Sequence, residues 1–140
     1  MLSFLNGSSA NPKVTVNEQP FLLKPKLPKP PIYIGQKAEV AFPRAIKHGN
    51  GWMPVSQSPE ELKPQIDTFQ SMAIDANRDR MEVIAMKTLP IADRDQMNDL
   101  ACSYQEAGVT QLVHTQGYDS VKHYAEVVEQ VDNLRHKLKK

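Results

Sequence analysis

Two short stretches of this sequence carry side chains of a kind that binds anions. Ser56-Gln57-Ser58 leads directly into a helical pattern, so its two hydroxyls would lie beside free backbone N–H groups and the positive end of the helix dipole. Such a helix N-terminus is a plausible cradle for a phosphate group. The local sequence by itself favours a simpler interpretation, in which Ser58 only caps the helix. Gly35-Gln36-Lys37 is the second stretch, in which a lysine could pair with the anion.

His114 is a further candidate, because it ends an apolar run that continues into Thr115 and Gln116. An imidazole at that position could serve as an acid, a base or a hydrogen-bond donor. No carboxylate lies nearby in the sequence, so a structural histidine is favoured. The sequence shows no nucleophile–base pair, no paired carboxylates, no dinucleotide-binding glycine motif and no zinc-type Cys/His spacing. We therefore assign no catalytic or metal-ligating residue.

Four successive strand–helix units would position these stretches. The predicted strands cover residues 32–34, 52–55, 81–87 and 111–114, and helical patterns follow them from about residues 37, 58, 93 and 120. Alternating units of this length predict a parallel sheet with right-handed crossovers. Ligands bind at the carboxyl ends of such strands, which is where residues 35–37 and 56–58 fall. The periodicity is compatible with a doubly wound sheet and with half of a (β/α)₈ barrel.

Several helix boundaries are marked by capping residues. Ser58, Pro59 and Glu61 have the spacing of a capping box with proline in the first turn. Asp93 is predicted to cap the third helix, and Gly108 to terminate it. The last helix carries an apolar stripe, made of Val121, Tyr124, Val127, Val128, Val131, Leu134 and Leu138.

The N-terminal part of the chain is rich in proline. Six of the 11 prolines lie within the first 31 residues. Because proline fixes φ and lacks an N–H, residues 1–30 are predicted to form an extended connector, partly polyproline II, ahead of a domain at 31–140. The PKLPKPP segment also contains a PxxP pattern, but a linker solubilised by its lysines is favoured over a peptide ligand.

Composition excludes several classes of protein. The chain has 140 residues, 15.8 kDa, and 17 basic against 16 acidic side chains, which leaves a formal charge of +1. This balance lacks the electrostatic footprint of a nucleic-acid binder or a polybasic membrane protein. No apolar run approaches the roughly 18 residues of a membrane span, and the N-terminus has no signal-peptide pattern. With Cys102 as the single cysteine, we expect a cytoplasmic protein without nucleic-acid or membrane partners.

The loops and strands together resemble a known family. The segment PKLPKPPIYIGQKAEVAFPRAIKHGNGWMPVSQSPEEL is similar to part of the luciferase-like flavin-dependent oxidoreductases, a family that includes deazaflavin-dependent members. GNGWMP is its most specific element, and AGVTQLVHT resembles the final strand of the family. The resemblance covers about residues 17–140 and corresponds to the C-terminal half of these enzymes.

The resemblance implies a fold and a cofactor site. The family fold is a TIM (β/α)₈ barrel, so this chain would be α/β, the C-terminal (β/α)₄ half of such a barrel. Members bind FMN or the deazaflavin coenzyme F420 at the carboxyl mouth of the barrel. The resemblance implies that Gly35 and Gln36 lie beside this cofactor, with Lys37 adjacent. It also implies that Ser56, Gln57 and Ser58 receive its phosphate, which reverses the simpler interpretation of Ser58.

Two positions depart from the family pattern. Gln36 stands where the family has a second glycine, which adds a side chain where the backbone would approach a cofactor. Asn50 stands where the family has aspartate, which removes a charge and keeps a turn-forming side chain.

The implied activity is that of the whole enzyme: hydride transfer or monooxygenation, with the cofactor performing the redox chemistry on an unidentified small-molecule substrate. In this family the first strands supply most groups that touch the substrate and the reactive ring. Those strands precede the matched region. We therefore expect the isolated chain to be inactive, and to dimerise or require a complementing half barrel that closes its open sheet edges. The alternatives are a non-catalytic flavin- or phosphate-binding half barrel and an inactive, truncated remnant.

Overall fold

The computed structural model describes residues 13–22 and 30–138, and the chain divides into two compact units, Met1–Ile32 and Tyr33–Lys140. The first unit contains an antiparallel hairpin of β1 (Lys13–Val16) and β2 (Gln19–Leu22). Its two turn residues have φ of 49° and 63°, the left-handed pair of a tight two-residue hairpin turn.

The proline pattern does not predict this hairpin. Pro20 is accommodated in β2 because, among the described residues, each strand of this pair has one unpaired edge, where a missing N–H costs no ladder hydrogen bond. The proline- and lysine-rich residues 23–29 lie outside the described part of the chain. The division into a connector at 1–30 and a domain at 31–140 stays a prediction.

The second unit consists of four strand–helix units. In chain order they are β3 (Tyr33–Gly35) and α1 (Ala38–His48), β4 (Gly51–Met53) and α2 (Pro59–Asp75), β5 (Glu82–Lys87) and α3 (Arg94–Glu106), and β6 (Gln111–His114) and α4 (Val121–Leu138). All neighbouring strands pair in parallel, in the order β3-β4-β5-β6. A doubly wound sheet changes direction at a switch point, whereas a barrel adds its strands in sequence. The observed order confirms the predicted α/β, (β/α)₄ half-barrel fold.

An aromatic cluster joins the sheet to the first two helices. Trp52 of β4 is only 1% exposed, and its ring lies edge-on to Phe42 of α1, with centroids 4.9 Å apart. Phe42 stacks in turn on Phe69 of α2 at 4.8 Å. Burying three aromatic rings in one cluster contributes several kcal/mol, on the order of 1.5–3 kcal/mol for each ring. The cluster fixes α1 and α2 on one face of the sheet.

On the opposite face, Gly51 permits a close approach of three strands. Gly51 is paired with Tyr33 on one side and with Glu82 on the other. The Tyr33 hydroxyl crosses β4 and donates a hydrogen bond to the Glu82 carboxylate. A Cβ atom at position 51 would lie 2.2 Å from the Glu82 carbonyl oxygen and 3.0 Å from the Tyr33 ring. Only glycine fits there without displacement of the backbone.

The predicted helix caps are confirmed. In the α2 capping box, the Glu61 backbone N–H donates to Ser58 Oγ at 3.3 Å and the Ser58 N–H donates to the Glu61 carboxylate at 2.8 Å. Asp93 caps α3 through a 3.0 Å bond from the Gln96 N–H. Gly108, with φ of 99°, ends α3 as predicted.

The apolar stripe of α4 is only partly buried. Leu134 is buried against Leu89 and Met97, but Val121 is 85% exposed, Tyr124 49% and Val128 46%. Periodicity shows that one face of a helix is apolar, but it does not show whether another element covers that face.

We expect Gly51→Ala to destabilise the protein by about 3 kcal/mol, because the added methyl group meets backbone that cannot move alone. Urea unfolding followed by circular dichroism measures the change. Gly117→Ala is the matched control, since a Cβ there meets nothing within 4 Å, and its effect should stay within about 0.5 kcal/mol. Equal effects of the two substitutions would show that the close approach at Gly51 does not constrain the sheet.

Candidate functional site

The two predicted loops follow adjacent parallel strands. Gly35, the last residue of β3, is paired with Met53, the last residue of β4. The loops at 35–37 and 56–58 therefore emerge at the same, carboxyl edge of the sheet. The structure thus brings all six predicted residues to this edge, although their assignment to a cofactor site stays a prediction.

Gln36 adopts a backbone conformation that favours glycine. Its φ is 127°, a value that residues with a side chain rarely adopt. The Trp52 indole N–H donates to the Gln36 carbonyl at 3.1 Å, which holds this peptide in place from the aromatic cluster. A glycine at position 36 would adopt this φ without strain.

Lys37 has an exposed side chain beside that peptide. It is the N-cap residue of α1, but its side chain caps nothing. No ion pair or hydrogen bond of its ammonium group is seen among the described residues. The charge is therefore available to an anion at this edge.

The 56–58 loop is hydrogen-bonded to α3. The Tyr104 hydroxyl, on a side chain whose residue is 1% exposed, donates to the Gln57 carbonyl at 2.6 Å. Burial, with smaller contributions from the negative charges of Glu60 and Glu61, raises the pKa of Tyr104. The hydroxyl accordingly keeps its proton and remains a donor. The apolar spacing of α3 indicates that Tyr104 is buried, but not which carbonyl its hydroxyl meets.

The N–H and the hydroxyl oxygen of Ser58 are already engaged within α2. The N–H donates to the Glu61 carboxylate, and the hydroxyl oxygen accepts from the Glu61 N–H. Interaction with its own backbone N–H, and secondarily with the Ser58 hydroxyl, lowers the pKa of Glu60. Two carboxylates thus occupy the positive end of α2, where the sequence predicts a phosphate.

Ser56 and Gln57 lie just outside this capping box. Ser56 is exposed and has a left-handed backbone, with φ of 59°. The Gln57 side-chain oxygen is buried and has no hydrogen-bond partner within the described residues. A buried amide oxygen without a partner is costly unless a donor from a ligand or water satisfies it. Because a phosphate oxygen is itself an acceptor, the Gln57 oxygen does not fit a phosphate. The residues fit a phosphate group in part: Lys37 has a charge and Ser56 a hydroxyl to offer, and Gln57 only its amide N–H group, whereas the polar groups of Ser58 are in use.

His114 is a structural histidine, the interpretation that its sequence context favours. Its Nδ1 accepts the Leu89 backbone N–H at 3.0 Å, so the ring proton is on Nε2, which donates to the Gln116 side-chain oxygen at 3.0 Å. The Gln116 amide then reaches Nε2 of His123 at 3.2 Å. Both ring nitrogens of His114 are occupied, which leaves neither for a substrate.

Residues 13–22 and 30–138 contain no group of three or more His, Cys, Asp or Glu side chains placed to hold a metal ion. No helix in these ranges combines the length and apolar character of a membrane span.

We expect Gln36→Gly to stabilise the protein by about 1 kcal/mol, because glycine adopts the observed φ without steric cost. Lys63→Gly, at an exposed position inside α2, is the control, because it removes a side chain at an ordinary helical φ, and it should lower stability by about 0.5–1 kcal/mol. The free energy of unfolding in urea tests both. A loss of stability in Gln36→Gly would contradict the strain assigned to this peptide.

Comparison with known proteins shows the fold. No family model and no curated protein matches the chain. Among solved structures, the chain is similar to an F420-dependent secondary alcohol dehydrogenase in complex with an F420-acetone adduct, with 17% identity and a TM-score of 0.58. The match covers 86% of this chain and 56% of that chain. The protein thus has the fold of a little over half of a deazaflavin-dependent oxidoreductase.

Proposed function

We propose that this chain is the C-terminal, cofactor-phosphate-binding half of a luciferase-like oxidoreductase that uses F420 or FMN. One observation carries the proposal: the sheet is parallel and strictly sequential, like part of an F420-dependent dehydrogenase, and its two candidate loops share the carboxyl edge. The carboxyl edge is where α/β barrels bind their ligands. The resemblance of GNGWMP and its flanking residues to this family supports the same cofactor class.

The residues of this chain would bind and orient the phosphate end of the cofactor. Lys37 supplies a positive charge, and the Ser56 hydroxyl and the Gln57 amide N–H group would supply hydrogen bonds from a loop that Tyr104 holds in place. An anion that reaches the Ser58 N–H must first displace the Glu61 carboxylate. The bound cofactor would supply the redox chemistry, which is hydride transfer in the first instance and monooxygenation in the alternative.

The chain by itself would not complete an active site. The match spans 56% of the similar dehydrogenase, so close to half of that fold has no counterpart here. In luciferase-like enzymes the missing strands carry most contacts to the substrate and the reactive ring. We therefore propose that turnover requires a further half barrel, and that this chain contributes cofactor affinity.

A second candidate function is a half barrel that binds no cofactor, or binds one without turnover. The engagement of both Ser58 groups and the two carboxylates at the start of α2 favour this candidate, since each opposes an incoming phosphate.

Titration of the purified chain with F420 and with FMN, followed by cofactor fluorescence, distinguishes these functions. We expect saturable binding, weakened about tenfold in Ser56→Ala because a hydrogen bond to a charged group is lost. Ser103→Ala, a substitution on the exposed surface of α3, is the control and should leave affinity unchanged.

Glu61→Gln should raise the affinity for the same cofactor. The amide oxygen can still accept the Ser58 N–H, but the negative charge beside the phosphate is removed, which favours binding about twofold to fivefold. Circular dichroism checks that α2 remains helical. Absence of binding by the wild-type chain and by Glu61→Gln at millimolar cofactor would refute the proposed function and leave the inactive half barrel.

A further inference from the structure

A network of polar side chains joins the end of the sheet to the start of the last helix. His114, the last residue of β6, is hydrogen-bonded to Gln116 at 3.0 Å, and Gln116 is hydrogen-bonded to His123 in the first turn of α4 at 3.2 Å. The network begins at the backbone N–H of Leu89, which donates to Nδ1 of His114 at 3.0 Å. The loop between β6 and α4 is thus held at both of its ends.

The Leu89 N–H sets the direction of every hydrogen bond in this network, because a backbone N–H can only donate. A neutral His114 that accepts at Nδ1 has its proton on Nε2, so the Gln116 atom that faces it must be the oxygen. The Gln116 amide N–H group therefore donates to His123, whose Nε2 must be an acceptor. The proton of a neutral His123 is then on Nδ1, 4.0 Å from the Asp119 carboxylate.

One further contact competes with this arrangement. The Asp119 backbone N–H lies 3.4 Å from Nδ1 of His123, and a neutral imidazole has only one acceptor nitrogen. If Nδ1 were that acceptor, the Nε2–H of His123 and the amide N–H group of Gln116 would face each other at 3.2 Å. The shorter bond from Gln116 is therefore the one that forms.

The network has no arrangement that accommodates an additional proton on His123. A protonated His123 donates from both ring nitrogens, so its Nε2–H faces the N–H group of Gln116. Rotation of the Gln116 amide does not help, because its N–H group would then face the Nε2–H of His114, whose Nδ1 is already bound to Leu89. Acidification must therefore break a hydrogen bond of the network, and the His123 side chain, 36% exposed, is accessible to water.

The charged groups around His123 offer it a different partner when it is protonated. The fully exposed Asp119 carboxylate lies 4.0 Å from Nδ1, and Glu126, one turn further along α4, is paired with Lys122 at 3.9 Å. The titratable group that faces His123 from β6 is His114, through the intervening amide. A protonated His123 can thus form an ion pair with Asp119 in place of its bond to the amide.

Residues 117–119 have few other contacts within the described part of the chain. A Cβ atom at Gly117 would meet nothing within 4 Å, and Tyr118 is 61% exposed. The Tyr118 ring contacts Tyr124, with centroids 5.0 Å apart. The conformation of this segment therefore depends on the network at its ends.

We propose that His123 is a pH switch for the segment 117–119. The neutral ring accepts from Gln116 and holds the segment, and protonation between about pH 8 and pH 5, the range in which histidine changes charge, breaks that bond and releases it. Thr115 stays in place in both states, because its N–H donates to the Lys87 carbonyl at 3.2 Å. The segment borders a groove of about 450 Å³ beside α4, which its release opens. This inference does not depend on cofactor binding.

NMR spectroscopy of the full chain tests the switch. Two-bond ¹H–¹⁵N spectra report which nitrogen of each imidazole carries the proton, and at about pH 8 they should show Nε2–H for His114 and Nδ1–H for His123. The backbone order parameters of residues 117–119 should fall from about 0.85 at pH 8 to about 0.6 at pH 5. The order parameter of Thr115 should stay constant.

Two substitutions distinguish the switch from a general effect of acid. Gln116→Glu should keep the segment ordered at both pH values, since a carboxylate accepts from both rings whether His123 is neutral or charged. His123→Gln should do the same, because an amide oxygen near the position of Nε2 accepts without titrating. His136→Gln is the matched control: His136 also lies on α4 and pairs with Asp132 at 3.3 Å, but it is outside the network, so this variant should respond to pH like the wild type.

Four results would overturn the inference. The first is a set of order parameters that are equal at the two pH values in the wild type, and the second is a proton on Nδ1 of His114 at pH 8. The third is a Gln116→Glu variant that still loses order at pH 5. The fourth is a parallel loss of helix content by circular dichroism, which would place the response to acid in the whole fold and not in this segment.

Discussion

The close approach of three strands at Gly51 is the constraint on which the rest of the domain depends. The missing side chain brings the Glu82 carbonyl against β4 and lets the Tyr33 hydroxyl cross to the Glu82 carboxylate. That hydrogen bond, with smaller contributions from burial and the negative charge, raises the pKa of Tyr33, so the hydroxyl remains a donor. The register of β3, β4 and β5 is therefore fixed, with Tyr33, Gly51 and Glu82 side by side. Gly35 and Met53 consequently end their strands side by side.

The two candidate loops are fixed by the same type of hydrogen bond. In each loop a buried aromatic side chain donates to a backbone carbonyl: Trp52 to Gln36, and Tyr104 to Gln57. Each bond satisfies its carbonyl without water. One carbonyl belongs to Gln36, whose own φ is positive, and the other to Gln57, which follows Ser56 with its positive φ. The aromatic layer beneath the sheet edge therefore determines the backbone of the candidate site.

Local chemistry made much of this fold predictable from the sequence. The capping box of Ser58 and Glu61 and the terminator Gly108 act within one helical turn, so their residue types suffice to place helix ends. The β1–β2 hairpin was beyond such reasoning, because its turn residues Asn17 and Glu18 include no glycine despite their positive φ. The order of the strands and the exposure of Val121 depend on distant contacts, which periodicity does not report.

The candidate site was predictable only as far as its residues interact locally. The pattern at 56–58 identifies a helix N-terminus, but the same Glu61 that reveals the helix start also occupies the Ser58 N–H. Carboxylates at the beginning of α2 stabilise its dipole and at the same time oppose an anion there. A helix start that is strongly marked in the sequence is thus a weaker anion site than one without acidic residues. For α2 this shifts the capacity to hold an anion away from the helix end, toward the Ser56 hydroxyl and the charge of Lys37, where no carboxylate competes among the described contacts.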